Sequence, residues 1–185
     1  YSDNIVTNGT EYCYRIASVY DDPAGGSVVS EQTIPECGLP ISATVYDIIY
    51  DDGTNEDNMP VGNGNYLANK YTPNGYPSDL YSASFYLPGS ETGTVLVYVW
   101  DDDGDGGTPG TPLVQGFPLN LNQGWNEINF VNEGFSITIE DGGVFVGYQQ
   151  LAVNFDMGID WNNASFSSNS MLDFGIGLGW EALNN

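Results

Sequence analysis

Four carboxylates stand within five residues at Asp101-Asp102-Asp103-Gly104-Asp105. Asp101, Asp103 and Asp105, followed by Gly106, match the D-x-D-x-D-G opening of an EF-hand-like calcium loop. In such a loop alternate carboxylates converge on one ion and the glycine permits the sharp turn. The match stops there. The twelfth position is Pro112, which cannot supply the bidentate carboxylate, and the flanks read as strands rather than helices. A calcium site here would borrow ligands from elsewhere, such as Asp51, Asp52, Asp156 or Asp160. The other reading is a solvated acidic hairpin loop, in which water separates charges that would otherwise repel. A second acidic run, Asp51-Asp52-Gly53-Thr54-Asn55-Glu56-Asp57-Asn58, reads as a loop between strands.

Little other chemistry is available. The chain has no histidine, which removes Ser-His and Cys-His catalysis, histidine bases and histidine zinc sites. Its two cysteines, Cys13 and Cys37, lack metal-ligand spacing and are expected to form one disulfide in an oxidising compartment. Lys70 is the only lysine and falls in a predicted strand. A carboxylate-pair glycosidase fits the composition, but nothing marks out a pair, so the expectation is a protein that is not an enzyme. Aromatic rings are the remaining candidates. Trp100 and Trp125 lie in or beside alternating strands and are expected in the core. Trp161 and Trp180 lie near predicted strand ends and are the candidate ligand-binding residues, able to stack on sugar rings if exposed.

The charge narrows the partners. Twenty-five acidic residues oppose Arg15 and Lys70, for a net charge of −23. Nucleic acid and anionic membranes would be repelled. No apolar run reaches membrane length and no signal peptide is visible, so no membrane insertion is expected. A secreted protein in saline, cation-rich surroundings fits this balance.

The elements that must position these residues are strands. The 24 glycines and 10 prolines are scattered, and no window shows a capped helical period, so the fold class is expected to be all-β. Glu11 to Tyr20 alternates, with Tyr12, Tyr14, Ile16 and Ser18 on one side and Cys13, Arg15, Ala17 and Val19 on the other. Asp21-Asp22-Pro23-Ala24-Gly25-Gly26 is a turn, and Ser27 to Ile34 returns. Folding about that turn brings Cys13 near Ile34 to Cys37 and ties the open ends of the hairpin. The closed loop of about 24 residues is worth roughly 3 kcal/mol in the chain-entropy account. Strands are further expected at 43–50, 65–72, 79–88, 94–100, 112–120, 125–131, 135–140, 143–150, 157–161 and 171–178, separated by turn clusters such as Asn122-Gln123-Gly124 and Asp141-Gly142-Gly143. Many short strands at this spacing predict a sandwich or barrel, and about 140 residues suit a jelly roll.

Two resemblances follow. Asn8-Gly9-Thr10-Glu11-Tyr12-Cys13-Tyr14-Arg15-Ile16-Ala17-Ser18-Val19-Tyr20, with its Gly-Ser return, resembles the last two strands of a fibronectin type III domain, with Tyr12 at the corner-tyrosine position. The preceding strands of such a domain are not in the sequence, and two strands cannot bury an inner face. From Tyr50-Asp51-Asp52-Gly53-Thr54, a second series runs through Lys70-Tyr71-Thr72-Pro73, Val99-Trp100-Asp101-Asp102-Asp103-Gly104, Gly124-Trp125 and Gly143-Val144-Phe145-Val146-Gly147-Tyr148 to Gly158-Ile159-Asp160. It resembles the jelly-roll accessory modules of large secreted bacterial proteins. Asn69-Lys70 departs from the apolar–Arg pair expected there. The expected organisation is a partial fibronectin type III-like hairpin unit at 1–38, a short linker at 39–41 and a jelly-roll β-sandwich at 42–185. Tyr1 opens in strand-like sequence, as in a processed or truncated piece.

The resemblance implies extracellular display and a non-catalytic role. The function expected is a structural or adhesive module that associates with itself or with other domains of a larger secreted protein, with strand complementation between copies building a surface fibre. The alternative is an accessory module of a secreted hydrolase or protease that binds a glycan. Calcium is the one cofactor the sequence suggests.

Overall fold

The computed structural model describes residues 10–38, 45–151, 155–159, 169–175 and 179–183. The described residues form an essentially all-β protein, and every strand pair is antiparallel. The chain divides into two compact units, Tyr1–Asp47 and Ile48–Asn185. The division lies a few residues beyond the expected linker at 39–41, which is outside the described residues.

The first unit is one long hairpin. Strand β1 (Tyr12–Tyr14) pairs with β4 (Glu36–Gly38), and β2 (Val19–Asp21) pairs with β3 (Ser27–Val29). The turn closes through Gly25 N–H to Asp22 O at 2.8 Å and Asp22 N–H to Gly26 O at 3.0 Å. The Asp22 carboxylate accepts from Ala24 N–H, and Gly25 and Gly26 hold positive φ, which glycine alone adopts without strain. The two arms are unequal. Tyr14 faces Glu36 and Val19 faces Val29, so a step of five residues (14 to 19) opposes one of seven (29 to 36). Hydroxyls fill the mismatch: Ser30 Oγ accepts from Ser18 N–H and Thr33 Oγ1 from Ile16 N–H. Cys13 lies directly opposite Cys37, and the two form the expected disulfide.

The second unit begins with β5 (Asp57–Met59) and β6 (Tyr66–Tyr71). Next come β7 (Ser78–Asp79), β8 (Ser82–Leu87), β9 (Gly93–Asp101), β10 (Pro112–Leu121) and β11 (Gly124–Asn129). Then β12 (Thr138–Ile139), β13 (Val144–Gln150), β14 (Met157–Ile159), β15 (Ser170–Asp173) and β16 (Glu181–Ala182) complete it. One six-stranded sheet runs β10-β9-β13-β6-β15-β16. The remaining strands pair as β8 with β11, β7 with β12 and β5 with β14, and β14 lies beside β8. The expected strand at 43–50 is absent from its described part, 45–50, while β5 and β16 were not foreseen.

Side-chain parity builds the core. Val95, Val97 and Val99 turn one face of β9 inward, where they meet Val144, Val146 and Tyr148 of β13 and Leu67 of β6. Leu87, Ile128, Ile139 and Met157 of the other strand pairs belong to the same cluster. Central strand β13 is covered on both faces, which explains its unbroken apolar run. Gly147 is required there, because a Cβ would strike the Leu67 carbonyl oxygen and Ala68. Gln150 is fully buried yet satisfied: its Oε1 accepts from Val61 and Gly62 N–H, and its Nε2 donates to Phe155 O, each at 2.9 Å.

Candidate functional site

The acidic loop leaves the end of β9. Asp101 N–H donates to Thr111 O at 2.8 Å and Gly110 N–H to Asp101 O at 2.9 Å, which closes the neck of the loop. Gly104 N–H to Thr108 O and Gly107 N–H to Gly104 O form the inner turn. The carboxylates of Asp101, Asp102 and Asp103 then part company. Asp101 Oδ1 accepts from Asp102 N–H. Asp102 reaches over the sheet, where its Oδ2 receives Gly143 N–H at 2.8 Å and lies 2.7 Å from Lys70 Nζ. Asp103 turns back on Thr111 and accepts from both its N–H and its hydroxyl, at 2.5 and 2.6 Å. These two donors, the hydroxyl foremost, hold the Asp103 carboxyl below the usual carboxylate range.

The D-x-D-x-D-G order therefore does not gather Asp101, Asp103 and Asp105 in this structure. Among the described residues the one group of three ligand-type side chains within 4.8 Å of one another is Glu11, Cys13 and Cys37, and its sulfurs are already joined. Asp51 and Asp52 accept from their own loop, at Gly53 and Thr54. Neither they nor Asp156 joins the aspartates of the 101–105 loop, and Asp160 lies outside the described residues. The reason is local. An EF-hand loop spreads its ligands along a turn that wraps the ion, whereas Thr108-Pro109-Gly110 returns this chain at once to β10. A cavity of about 190 Å³ beside the loop is lined by Asp101, Glu140 and Asp141 together with Leu113, Ile139 and Val144.

The Lys70–Asp102 pair is the feature of this region that sequence reasoning missed. It joins β6 to the β9–β10 loop across β13, with the ammonium 5.6 Å from the centroid of the Phe145 ring. Lys70 stood out as the only lysine, but nothing in the spacing told which of the four aspartates would reach it. Gly143 is needed for the approach, since a Cβ there would meet Lys70 Cε at 2.6 Å.

The tryptophans fall into two settings. Trp100 and Trp180 join one cluster on the outward face of the six-stranded sheet, over Ala68 and Phe145. Trp100 stacks on Tyr98 at 5.0 Å, Tyr66 stands edge-on to both, and Trp180 stands edge-on to Trp100 at 5.1 Å. Burial, and then the neighbouring Tyr66, raise the Tyr98 hydroxyl pKa. Trp100 is buried, as expected, whereas Trp180 spends its ring against protein. Trp161 lies outside the described residues. Trp125 departs from expectation: it is 60% exposed, on the outward face of β11, against Tyr86 of β8 at 5.2 Å. The alternation already carried this signal, because Trp125 shares its parity with Glu127 and Asn129 while Asn126, Ile128 and Phe130 turn inward.

In the first unit no described residue is buried. Tyr14, Ile16, Tyr20 and Val28 are 44%, 73%, 59% and 52% exposed, and Val19, Val29 and Ile34 are also exposed. No family model matches this chain, and neither a search of curated proteins nor one of solved structures finds a match.

Proposed function

We propose that this chain is a non-catalytic, extracellular structural and adhesive β-module whose disulfide-stapled hairpin docks on the β-structure of a second copy, so that copies join into a surface fibre. The observation that carries this reading is the hairpin itself: two arms locked by Cys13–Cys37 that present exposed Tyr14, Ile16, Tyr20 and Val28. A two-stranded hairpin is marginal in water, and apolar residues in such number on a small unit favour burial against a partner. On the resemblance to fibronectin type III, the side carrying Tyr12, Tyr14 and Ile16 is the one a complete sandwich would cover. Docking of unlike surfaces, hairpin on one copy to sheet on the next, propagates rather than closes.

The jelly-roll reading of the second unit is supported by nested pairing of earlier strands with later ones. Strand β6 pairs with β15, β8 lies beside β14, and β9 pairs with β13. The disulfide suits an oxidising, extracellular setting, and no helix among the described residues is long and apolar enough to cross a membrane. The alternative glycan reading through Trp161 and Trp180 gains nothing from Trp180, whose ring meets Trp100 and Tyr66.

Light scattering across a concentration series in 1 M NaCl tests the docking. The expected result is mass growth for the native chain and a monomer for the double variant Ile16→Glu/Val28→Glu. A native chain that stays monomeric throughout, or a double variant that assembles equally well, overturns it.

A further inference from the structure

The outward face of the β5-β14-β8-β11 strands carries a row that none of the readings above uses. Register places Asn58 opposite Gly158 and Trp125 opposite Tyr86, with β14 beside β8. Gly158 is the floor of this row: a Cβ there would collide with Asn55 Oδ1 on one side and with Tyr86 Cδ1, at 2.7 Å, on the other. Asn55 Nδ2 donates to Asn58 Oδ1 at 2.8 Å, which fixes the amide pair. Beyond Tyr86 the Trp125 ring projects 60% exposed, tilted 50° to the Tyr86 ring. The next pair on the same face is Ser84 with Glu127, followed by Ser82 with Asn129.

From this arrangement we infer that Trp125 and Tyr86, with Asn55, Asn58, Ser84 and Glu127, form a binding platform for a neutral polysaccharide. Three features select that class of ligand. First, among the described residues the row around the two rings carries hydroxyls, amides and a carboxylate. A protein core or a lipid would bury these polar groups without partners, which is costly. A pyranose offers what the row asks for: an apolar C–H face for the indole and an edge of hydroxyls for the amides and the carboxylate. Second, the Trp125 indole N–H, the Tyr86 hydroxyl and the Glu127 carboxylate have no hydrogen-bond partner among the described residues, so they are available to such a ligand. Third, no residue of the row is a cation. Lys70 is paired with Asp102 and lies on a different strand, β6, so uronate, sulfated and phosphorylated polymers find no counter-charge on a chain of net charge −23.

The row crosses four strands, a path of about 14 Å at the usual strand spacing. That span suits a short run of sugar units better than one. The site is separate from the hairpin and does not depend on the docking proposed for it; it would direct the module's adhesion toward a glycan-bearing surface.

Native affinity gels cast with mixed-linkage β-glucan, xyloglucan, galactomannan or amylopectin test the inference, with alginate as the anionic control. At least one neutral polymer is expected to retard the full-length protein, and alginate none. Trp125→Ala should weaken retardation about tenfold or more, Trp125→Phe less, since a smaller ring still stacks. Ile16→Glu/Val28→Glu should be retarded like the native chain, which separates this site from hairpin docking. Because Trp125 is exposed, Trp125→Ala should melt as the native chain does, so its loss of binding reports the platform. Silence across the four neutral polymers, equal retardation of Trp125→Ala, or a Trp125→Ala effect confined to self-association would overturn the assignment.

Discussion

Asp103 and Tyr148 are two side chains whose surroundings differ in kind, and each makes a testable statement. Asp103 accepts two bonds from Thr111, and its folded pKa is lowered. A lowered carboxylate favours the fold above the ordinary carboxylate range, and that preference is lost as pH falls through the Asp103 value itself. A carboxyl titration followed by NMR should therefore place Asp103 below the usual carboxylate range, and Thr111→Val should move it back up; an unmoved Asp103 would show that the hydroxyl does not set its charge. Tyr148 is the opposite case. Its hydroxyl is buried without a partner among the described residues, and burial, with Asp156 adding to it, pushes its pKa upward. An orphaned polar atom costs stability, so Tyr148→Phe should melt no lower than the native chain, gaining up to about 1 kcal/mol. A clear loss on thermal melting would mean that the hydroxyl is engaged.

Among the elements, the clasp between β6 and the β9–β10 loop rests on one ion pair with side chains 27% and 18% exposed. Lys70→Met would leave Asp102 facing Gly143 N–H alone. A partly exposed pair lies between the surface and buried limits, so a loss of about 1–2 kcal/mol is expected from chemical denaturation; no loss would reduce the clasp to a surface contact. The strands themselves were legible. The run from Thr94 to Trp100 reads as a strand, which β9 is, and the Asp21 to Gly26 turn brings Cys13 to Cys37; which face of β9 turns inward is set by the packing. Residue type and parity disagree at Trp125: tryptophan favours the core, whereas Glu127 on the same side marks the solvent face, and parity prevails. The D-x-D-x-D-G string was legible as chemistry but not as geometry. Where a carboxylate points depends on donors far along the chain, Lys70 and Gly143 for Asp102, which spacing does not encode. Strands β5 and β16 have two or three residues each, too short to show a period.

At the scale of the molecule, charge opposes both folding and assembly. A net charge of −23 on one chain repels itself, and a copy-to-copy interface brings two such chains together. Against this stands one ion pair among the described residues, Lys70–Asp102, so salt has far more repulsion to screen than attraction to weaken. The Debye length falls from about 30 Å at 0.01 M to about 3 Å at 1 M. Raising NaCl across that range should therefore stabilise the monomer by about 1–2 kcal/mol, or about 3–6 °C in melting temperature for a chain of this size. The direction is the test: a melting temperature that falls with salt would mean that local attractions outweigh the net field. Calcium then separates screening from coordination. The carboxylates of Asp101, Asp102 and Asp103 are spent on Thr111, Lys70, Gly143 and backbone N–H rather than gathered with Asp105, so calcium and magnesium at equal ionic strength should raise the melting temperature alike. A rise specific to calcium, lost in Asp103→Asn or Asp105→Asn, would show the loop re-forming around the ion. Assembly should follow the same order. Native chain at low salt stays dispersed, and growth begins where the Debye length drops below the separation of facing carboxylates. Growth strongest at 0.01 M NaCl would mean that the docking surfaces attract through charge, and the apolar hairpin would then not be what joins the copies.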